Sequence, residues 1–451
     1  MSLIIKKMET DEEIRGKAYV HWQAWQETYP GMMPQAVLDA RTLERFLEQS
    51  YRWPDNLLVA KDGEKVIGFA GYGESREIPD CGEIFALYLL AEYQGKGIGS
   101  RLLKAALEQL AEYPKICLWV LKENRKAIRF YEKHDFQPDG MEKFSEPVLA
   151  LGIRMVRKTA IALRPYRDED YEALCDFLIE LNKEDRSHIN WNWARLEWMI
   201  EHPEFDKSLE GSIGLWRAGS RIVGAAIYDM YFGEAFCSAL PEYGDLYPKI
   251  LDYAWRELRD ENGLGIAVCD ENGAEINALK AAGFVPADQT ETVMTAALNR
   301  PFDAPLPEGY SLKEVDPVRD TEALQWLFWQ GFDHGEDREE FEKEEKTVSG
   351  IRPHFRSDLS LAAVGPDGEL AALAGLWFRE ETDYAYVEPV CTVPAHRGRG
   401  LAKALLYEAM KRARALGAKK AYVISEMDFY GKLGFRKEYH YRFYWRTESD
   451  A

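Results

Sequence analysis

Apolar and polar positions along this chain form a pattern that recurs three times. Short apolar runs come in pairs around a glycine: LLVA (57–60) and VIGFAGYG (66–73) flank Asp62-Gly63, SIGLW (212–216) and IVGAAIYD (222–229) flank Ala218-Gly219, and LAAV (361–364) and LAALAGLW (370–377) flank Asp367-Gly368. Each pair predicts a β-hairpin. After the first pair, an apolar strand from Glu83 to Leu90 runs through a glycine turn into a helix with apolar residues at Leu102, Leu103, Ala106 and Leu110. The segment YAYVEPVCTVPAHRGRGLAKALLYEAMKRA (384–413) has the same order. The two turns, at Gln94 and Arg397, are 303 residues apart, twice a domain length. A middle copy should therefore turn near residue 245, where ALPEYGDLYPKILDYAWREL (239–258) stands without the paired glycines.

A second marker keeps the same period. His134-Asp135-Phe136, Ala282-Gly283-Phe284 and Leu433-Gly434-Phe435 each follow an amphipathic helix, at intervals of 148 and 151 residues. Pro301, Pro305 and Pro307 make a stiff linker, and a β-rich end closes near Lys158. The prediction is three domains, 1–157, 158–300 and 301–451, of one α/β topology: helices first, then a hairpin, a strand, the glycine turn, a helix, a strand, a helix and final strands in a mixed sheet. A length of 451 residues agrees, at about 150 residues per domain.

Charge and composition narrow the partners. The net charge of −20 disfavours nucleic acid and anionic membranes. Divided along the predicted boundaries it is −2, −12 and −6, so most of it falls on residues 158–300, and the outer two segments are nearer neutral, as a polyanionic ligand would favour. Six cysteines without a CxxC pair, and no His or Cys at metal-ligand spacing, predict a reduced, metal-free, cytoplasmic protein. The start, MSLIIKKMETDEE, does not read as a signal peptide, and no 18-residue apolar run predicts a membrane span.

The glycine turns carry the candidate chemistry. In QGKGIGS (94–100) and RGRGLAK (397–403) a tight turn aims successive N–H groups at one point, at the start of a helix, which makes an anion cradle suited to pyrophosphate. Lys96, Arg399 and Lys403 add positive charge at the rims. Neither turn has the G-K-[ST] ending of a Walker loop, nor follows the first strand of its domain as a dinucleotide fingerprint would.

The strand, Q/R-x-x-G-x-G/A turn and helix, followed by NRKAIRFYEKHDF (124–136) and SEMDFYGKLGF (425–435), resemble the acetyl-CoA motif of the GNAT superfamily of N-acetyltransferases. Asn124, Ala127, Phe130, Tyr131 and Phe136 match its downstream part, with His134-Asp135 replacing the usual Leu-Gly; residues 301–451 keep Phe429, Tyr430, Gly434 and Phe435 without the Asn. The middle copy keeps Asn272, but Leu279 stands at the Tyr position and Gly244-Asp245-Leu246-Tyr247-Pro248 replaces the cradle, so no coenzyme is expected there. The last two domains also resemble the layout of mycothiol synthase. The resemblance implies three tandem GNAT-like domains, each a mixed, mostly antiparallel sheet flanked by helices. It implies acetyl-CoA as cosubstrate and a primary amine of a small molecule or peptide as acceptor; the alternative is an acyl-CoA-binding scaffold or sensor with one or no active site.

Residue roles follow from the same resemblance. The cradles are Gln94, Gly95, Lys96, Gly97, Ile98, Gly99 and Ser100 in one copy, and Arg397, Gly398, Arg399, Gly400, Leu401, Ala402 and Lys403 in the other. Tyr88 and Leu89, and Cys391 and Thr392, would hold the pantetheine arm through the main chain, with Asn124 among the coenzyme contacts. Tyr131 and Tyr430 would protonate or hydrogen-bond the departing thiolate. Glu83, opening its strand, and Glu388, placed similarly before Pro389, would take the amine proton directly or through water. Trp25, Glu27 and Tyr29 would line the acceptor site, where an aromatic ring and a carboxylate suit a cation. Trp191, Trp193 and Trp198, at helical spacing, read first as a packing face, with a substrate wall or a domain contact as the alternatives.

Overall fold

The computed structural model describes residues 3–202, 204–343 and 353–448. They form two compact units, Met1–Ala162 with Arg217–Arg221, and Leu163–Trp216 with Ile222–Ala451.

The first unit runs β1 (Leu3–Lys7), α1 (Asp11–Thr28), α2 (Gln35–Asp39), α3 (Leu43–Arg52), β2 (Leu57–Asp62), β3 (Lys65–Glu74), β4 (Cys81–Leu89), α4 (Ile98–Gln109), β5 (Lys115–Leu121), α5 (Arg125–Glu132), β6 (Gln137–Ser145) and β7 (Ala150–Lys158). Helices were expected first, yet β1 precedes them; a strand of five residues, LIIKK, alternates too briefly to announce itself. The sheet order is β1-β2-β3-β4-β5-β7-β6. Neighbours are antiparallel except β4 and β5, which are parallel because α4 carries the chain back between them. The apolar stripe of α4, Leu102, Leu103, Ala106 and Leu110, packs on one face with Ile67, Ala70, Ile84 and Ile116. On the other face Val20 of α1 packs with Val59, Val66 and Phe69. A capping box starts α1: Thr10 Oγ1 accepts from the Glu13 N–H (3.2 Å) and Glu13 Oε2 accepts from the Thr10 N–H (3.3 Å).

Two irregularities open this sheet. A bulge shifts the β3–β4 register between Gly71 and Tyr72. The β4–β5 ladder runs only from Cys81–Lys115 to Ile84–Leu118, although β4 continues to Leu89 and β5 to Leu121. Two parallel strands that part midway leave a wedge between their C-terminal halves, lined by main chain free of strand partners.

The second unit repeats the order twice. First come β8 (Ile161–Pro165), α6 (Tyr171–Leu181), α7 (Trp193–Ile200), β9 (Gly214–Ala218), β10 (Arg221–Asp229), β11 (Tyr231–Ala239), α8 (Tyr247–Glu257), β12 (Leu264–Cys269), α9 (Gly273–Ala281) and β13 (Val285–Ala297). Then follow β14 (Ser311–Glu314), α10 (Thr321–Gly331), α11 (Arg338–Phe341), β15 (Ser360–Val364), β16 (Leu370–Phe378), β17 (Tyr384–Thr392), α12 (Leu401–Leu416), β18 (Lys420–Ile424), α13 (Asp428–Lys432) and β19 (Arg436–Arg446). One sheet contains all twelve strands, ordered β14-β15-β16-β17-β18-β13-β19-β12-β11-β10-β9-β8.

The centre of that order is an exchange. In the first unit β5 pairs with the final strand of its own repeat, β7. Here β12 pairs with β19, from Leu264–Arg446 to Cys269–Tyr441, and β18 pairs with β13, from Val293–Ile424 to Ala297–Lys420. Each repeat thus completes the other's sheet, and removing either would expose a long strand edge. Among the described residues no helix is long and apolar enough to cross a membrane.

Candidate active site

The glycine turn of the first unit is built by three local devices. Gly95 and Gly97 sit at φ 74° and 77°, a left-handed conformation that side chains rarely adopt, and Gly97 is the N-cap of α4. Gln94 Nε2 donates to the Leu89 carbonyl (3.0 Å), closing the turn onto the end of β4, while Lys126 Nζ donates to Gln94 Oε1 (2.6 Å). No side chain caps α4, so its first N–H groups face outward. A Cβ built on Gly95 or Gly97 would meet nothing within 4 Å, so open space lies before the turn where an anion would rest. Ile98 turns inward to the core, Lys96 lies over the Tyr93 ring (5.3 Å), and Ser100 Oγ shares a hydrogen bond with His134 Nε2 (2.9 Å).

One cavity of about 1450 Å³ connects this turn to the wedge between β4 and β5, large enough for an extended ligand and a second substrate. Gln94, Gly95, Gly97, Gly99 and Ser100 line one part; Tyr88, Leu89, Asn124 and Tyr131 line the wedge; Glu83, Trp25, Glu27 and Tyr29 line the rest. Tyr131 on α5 is 8% exposed, packed between Phe130 and Phe136, and its hydroxyl has no hydrogen-bond partner among the described residues. Burial, then the neighbouring Tyr88, raises its pKa and keeps it a proton donor. Glu83 accepts from Ser75 Oγ (2.9 Å), and burial raises its carboxyl above the usual range despite that bond.

Some expected residues are already engaged. Asn124 Oδ1 accepts from the Ala127 N–H (3.1 Å) as the N-cap of α5. Glu27 Oε2 accepts from the Ala91 N–H (3.0 Å), tying the end of α1 to the glycine turn. Tyr29 and Tyr88 join hydroxyl to hydroxyl at 3.0 Å. Asp135 holds φ 65°, the left-handed place that Gly283 and Gly434 fill in the other repeats, as a short polar side chain permits.

The last repeat reproduces the turn. Gly398 and Gly400 have φ 73° and 83° with open space before them, and Arg397 Nε donates to the Thr392 carbonyl (3.0 Å) as Gln94 does to Leu89. Arg397 also donates to the Gly331 carbonyl (3.1 Å) and Asp333 (2.8 Å), Arg399 donates to the Ala395 carbonyl (3.3 Å), and Lys403 lies over Tyr407 (5.4 Å). Leu401 packs into the core, Ala402 is half-buried in the first turn of α12, and Cys391 is a buried strand residue. Tyr430 is buried, without a hydroxyl partner among the described residues; burial and the charge of Glu388 push it up to about 12. Glu388 is not the counterpart of Glu83. The cradle spacing places Tyr386 there, paired across the parallel ladder with Tyr422, whereas Glu388 lies in the bulge and matches Phe85. Tyr386 Oη donates to Glu388 (2.6 Å), and burial raises the Glu388 carboxyl.

The sequence profile described as Acetyltransferase (GNAT) family matches residues 20–136 and 321–435, just over half of the chain. This chain belongs to the GNAT family of acetyltransferases. A probable N-acetyltransferase of Mycobacterium tuberculosis is 32% identical over 142 residues, 30% of this chain and 81% of the relative. A spermine/spermidine N(1)-acetyltransferase of Bacillus subtilis is 35% identical over 111 residues, 23% of this chain and 71% of the relative. A solved tandem GNAT protein from the clavulanic acid biosynthesis pathway aligns over 64% of this chain and 98% of its own, at 15% identity and a TM-score of 0.42.

The corresponding elements of residues 158–300 surround a filled slot. β11 and β12 touch in parallel only at Glu234–Gly265, so a wedge opens there too, but just about 10 Å³ remains empty, no more than one water needs. Trp191 stacks on Phe236 (5.3 Å, 14°), and His188 Nε2 is 2.9 Å from Glu275 Oε1. Burial lowers the His188 pKa, but Glu275 outweighs it and the net shift is upward. The turn is a 3-10 segment, Pro241–Leu246, with Pro248 in the first turn of α8 and the Tyr247 side chain buried. Trp191 precedes α7, whose N-cap is Asn192, so the three tryptophans do not share one helix face.

Sequence reasoning missed Lys17, His21 and Ser75, which surround the first cavity or hold its residues. A signal was present in KAYVHWQA (17–24), where a lysine and a histidine four apart interrupt the apolar stripe of α1. It also missed a grouping that no spacing announces: Cys175 Sγ, a Glu197 carboxylate oxygen and a His354 ring nitrogen lie within 4.8 Å of one another. Glu197 already accepts from Tyr171 Oη (2.6 Å) and the His354 N–H (3.1 Å) and lies 2.7 Å from His354 Nδ1, a satisfied buried carboxylate.

Proposed function

We propose that residues 1–157 and 301–451 are acetyl-CoA-dependent N-acetyltransferase domains acting on a primary amine of a small molecule or peptide, and that residues 158–300 form a module without coenzyme. The observation that carries this reading is the single cavity joining the Gln94–Ser100 turn, the β4–β5 wedge, Tyr131 and Glu83. The open space before Gly95, Gly97, Gly398 and Gly400 fits a pyrophosphate, with main-chain N–H groups of each turn holding it. Acetyl-CoA would supply the activated acyl group and a thiolate to depart. Main chain at Tyr88 and Leu89, and at Cys391 and Thr392, would hold the pantetheine arm. Glu83, with a carboxyl raised by burial, accepts a proton from the incoming amine directly or through water. Tyr131 delivers a proton or hydrogen bond to sulfur from a buried hydroxyl that has no hydrogen-bond partner among the described residues. In the last repeat Tyr430 takes the donor role, and Glu388, set in the bulge and not at the position of Glu83, is the carboxylate proposed to take the proton. Six free, buried cysteines support placing the protein in the cytoplasm.

Calorimetry with acetyl-CoA tests the reading. Two equivalents per chain are expected, and no binding would overturn it. Thiol release against an amine panel, repeated with Tyr131→Phe and Tyr430→Phe, then assigns turnover to each site. Binding without turnover of any amine would favour an acyl-CoA sensor.

A further inference from the structure

The first cavity extends beneath α1, where its wall contains a positive charge that no carboxylate balances among the described residues. Lys17 and His21 lie four apart on the buried face of α1 and both line the cavity. Lys17 is 5% exposed; its ammonium donates to Ser50 Oγ (3.1 Å), lies 4.8 Å over the Phe69 ring, and has no ion-pair partner among the described residues. Ser50 spends its own proton on the Phe46 carbonyl (2.7 Å), so its oxygen is fixed facing the ammonium. His21 is 8% exposed, with Phe46, Phe69 and Tyr88 at 4.2, 5.1 and 4.9 Å, and its Nδ1 has no hydrogen-bond partner among the described residues. Burial holds Lys17 down to about 8 and His21 well below its ordinary value, so near neutrality the pair presents one cation and one neutral imidazole.

A lone buried ammonium is destabilising, and a methionine would occupy the same volume without that penalty. The pyrophosphate cradle does not explain it. That cradle heads α4, which covers one face of the sheet, whereas Lys17 lies under α1 on the other. The buried Lys17 ammonium, beside a neutral imidazole that also feels Arg41, attracts an anionic group such as a carboxylate and would repel a polyamine. We propose that Lys17, with His21 and Ser50 beside it, receives a carboxylate of the acceptor, so that the first domain acts on an amine that also bears a carboxylate: an amino acid or the free end of a short peptide. This rests on the acetyltransferase reading above.

The test uses the full chain. Acetyl-CoA binding is measured first by calorimetry, which decides the underlying reading separately. Thiol release is then followed at saturating acetyl-CoA with amino acids and dipeptides, each paired with the amine that lacks only its carboxylate; the two sets distinguish the two sources. The carboxylated member should exceed its partner at least about tenfold in kcat/KM, a difference of about 1.4 kcal/mol carried by KM. Lys17→Met should erase that preference, leave coenzyme affinity unchanged, and raise Tm. Four results would each overturn the inference: equal or better turnover of the decarboxylated amines, a preference that survives Lys17→Met, a lowered Tm marking Lys17 as a structural donor, or turnover of neither set by protein that binds the coenzyme.

Discussion

The wedge of the first unit and the wedge of residues 158–300 are made from the same elements, yet one opens into about 1450 Å³ and the other leaves about 10 Å³. Both have two parallel strands that part, a helix between them, and an Asn that caps the next helix, Asn124 in one and Asn272 in the other. The difference lies in what enters. In the middle repeat the chain before α7 brings Trp191 onto Phe236 and His188 onto Glu275, so the slot becomes ordinary core. The scaffold therefore does not by itself make a binding site; the side chains delivered to the wedge decide whether ligand or protein fills it.

The largest effect should come from the cradle. Gly97→Val forces a β-branched residue into φ 77° and puts its Cβ into the open space, so acetyl-CoA affinity at the first site should fall on the order of 100-fold, about 3 kcal/mol. Gly244→Val in the middle repeat should leave the calorimetric stoichiometry untouched, and a changed stoichiometry there would erase the contrast between the two wedges. Next in size, Trp191→Ala should destabilise the second unit by about 3–5 kcal/mol in denaturant unfolding, because it empties a well-packed core. The emptied slot should still bind no coenzyme, since Asp245 and Pro248 remain in its turn.

Tyr131→Phe should lower kcat about 100-fold with coenzyme affinity preserved, a magnitude usual for loss of an acid. An unchanged kcat would remove Tyr131 from the chemistry. The smallest effect is on pH. The role proposed for Glu83 needs its carboxylate form and burial raises its pKa, so kcat/KM should climb with pH through a value above that of an ordinary glutamate and flatten in Glu83→Gln. Ser75→Ala removes a hydrogen bond that favours the charged form, so that limb should move to still higher pH.

Much of this was legible locally. The glycine turns at Gln94 and Arg397, the strand Lys115–Leu121 and the Tyr131 helix were readable because turn chemistry and short apolar periods are properties of neighbouring residues. The pairing of Glu83 with Glu388 was misjudged because a bulge shifts register without changing composition, so a glutamate two positions along takes a different place on its strand. Lys17 and His21 were passed over because whether a polar residue on an apolar stripe meets water, core or a cavity depends on what packs opposite it.

By itself the sequence determined the family motif at both ends, the two glycine turns and the absence of paired glycines at residues 241–248. These follow from spacings within about thirty residues and from backbone conformations that glycine alone favours. Only the tertiary structure decided that the last two repeats complete each other's sheet through β13 and β19, that Trp191 fills the middle slot, and that an unbalanced ammonium faces the first cavity. Strand exchange, filled wedges and buried charges are contacts between residues far apart in the chain, and their energies depend on shape and burial that only packing creates.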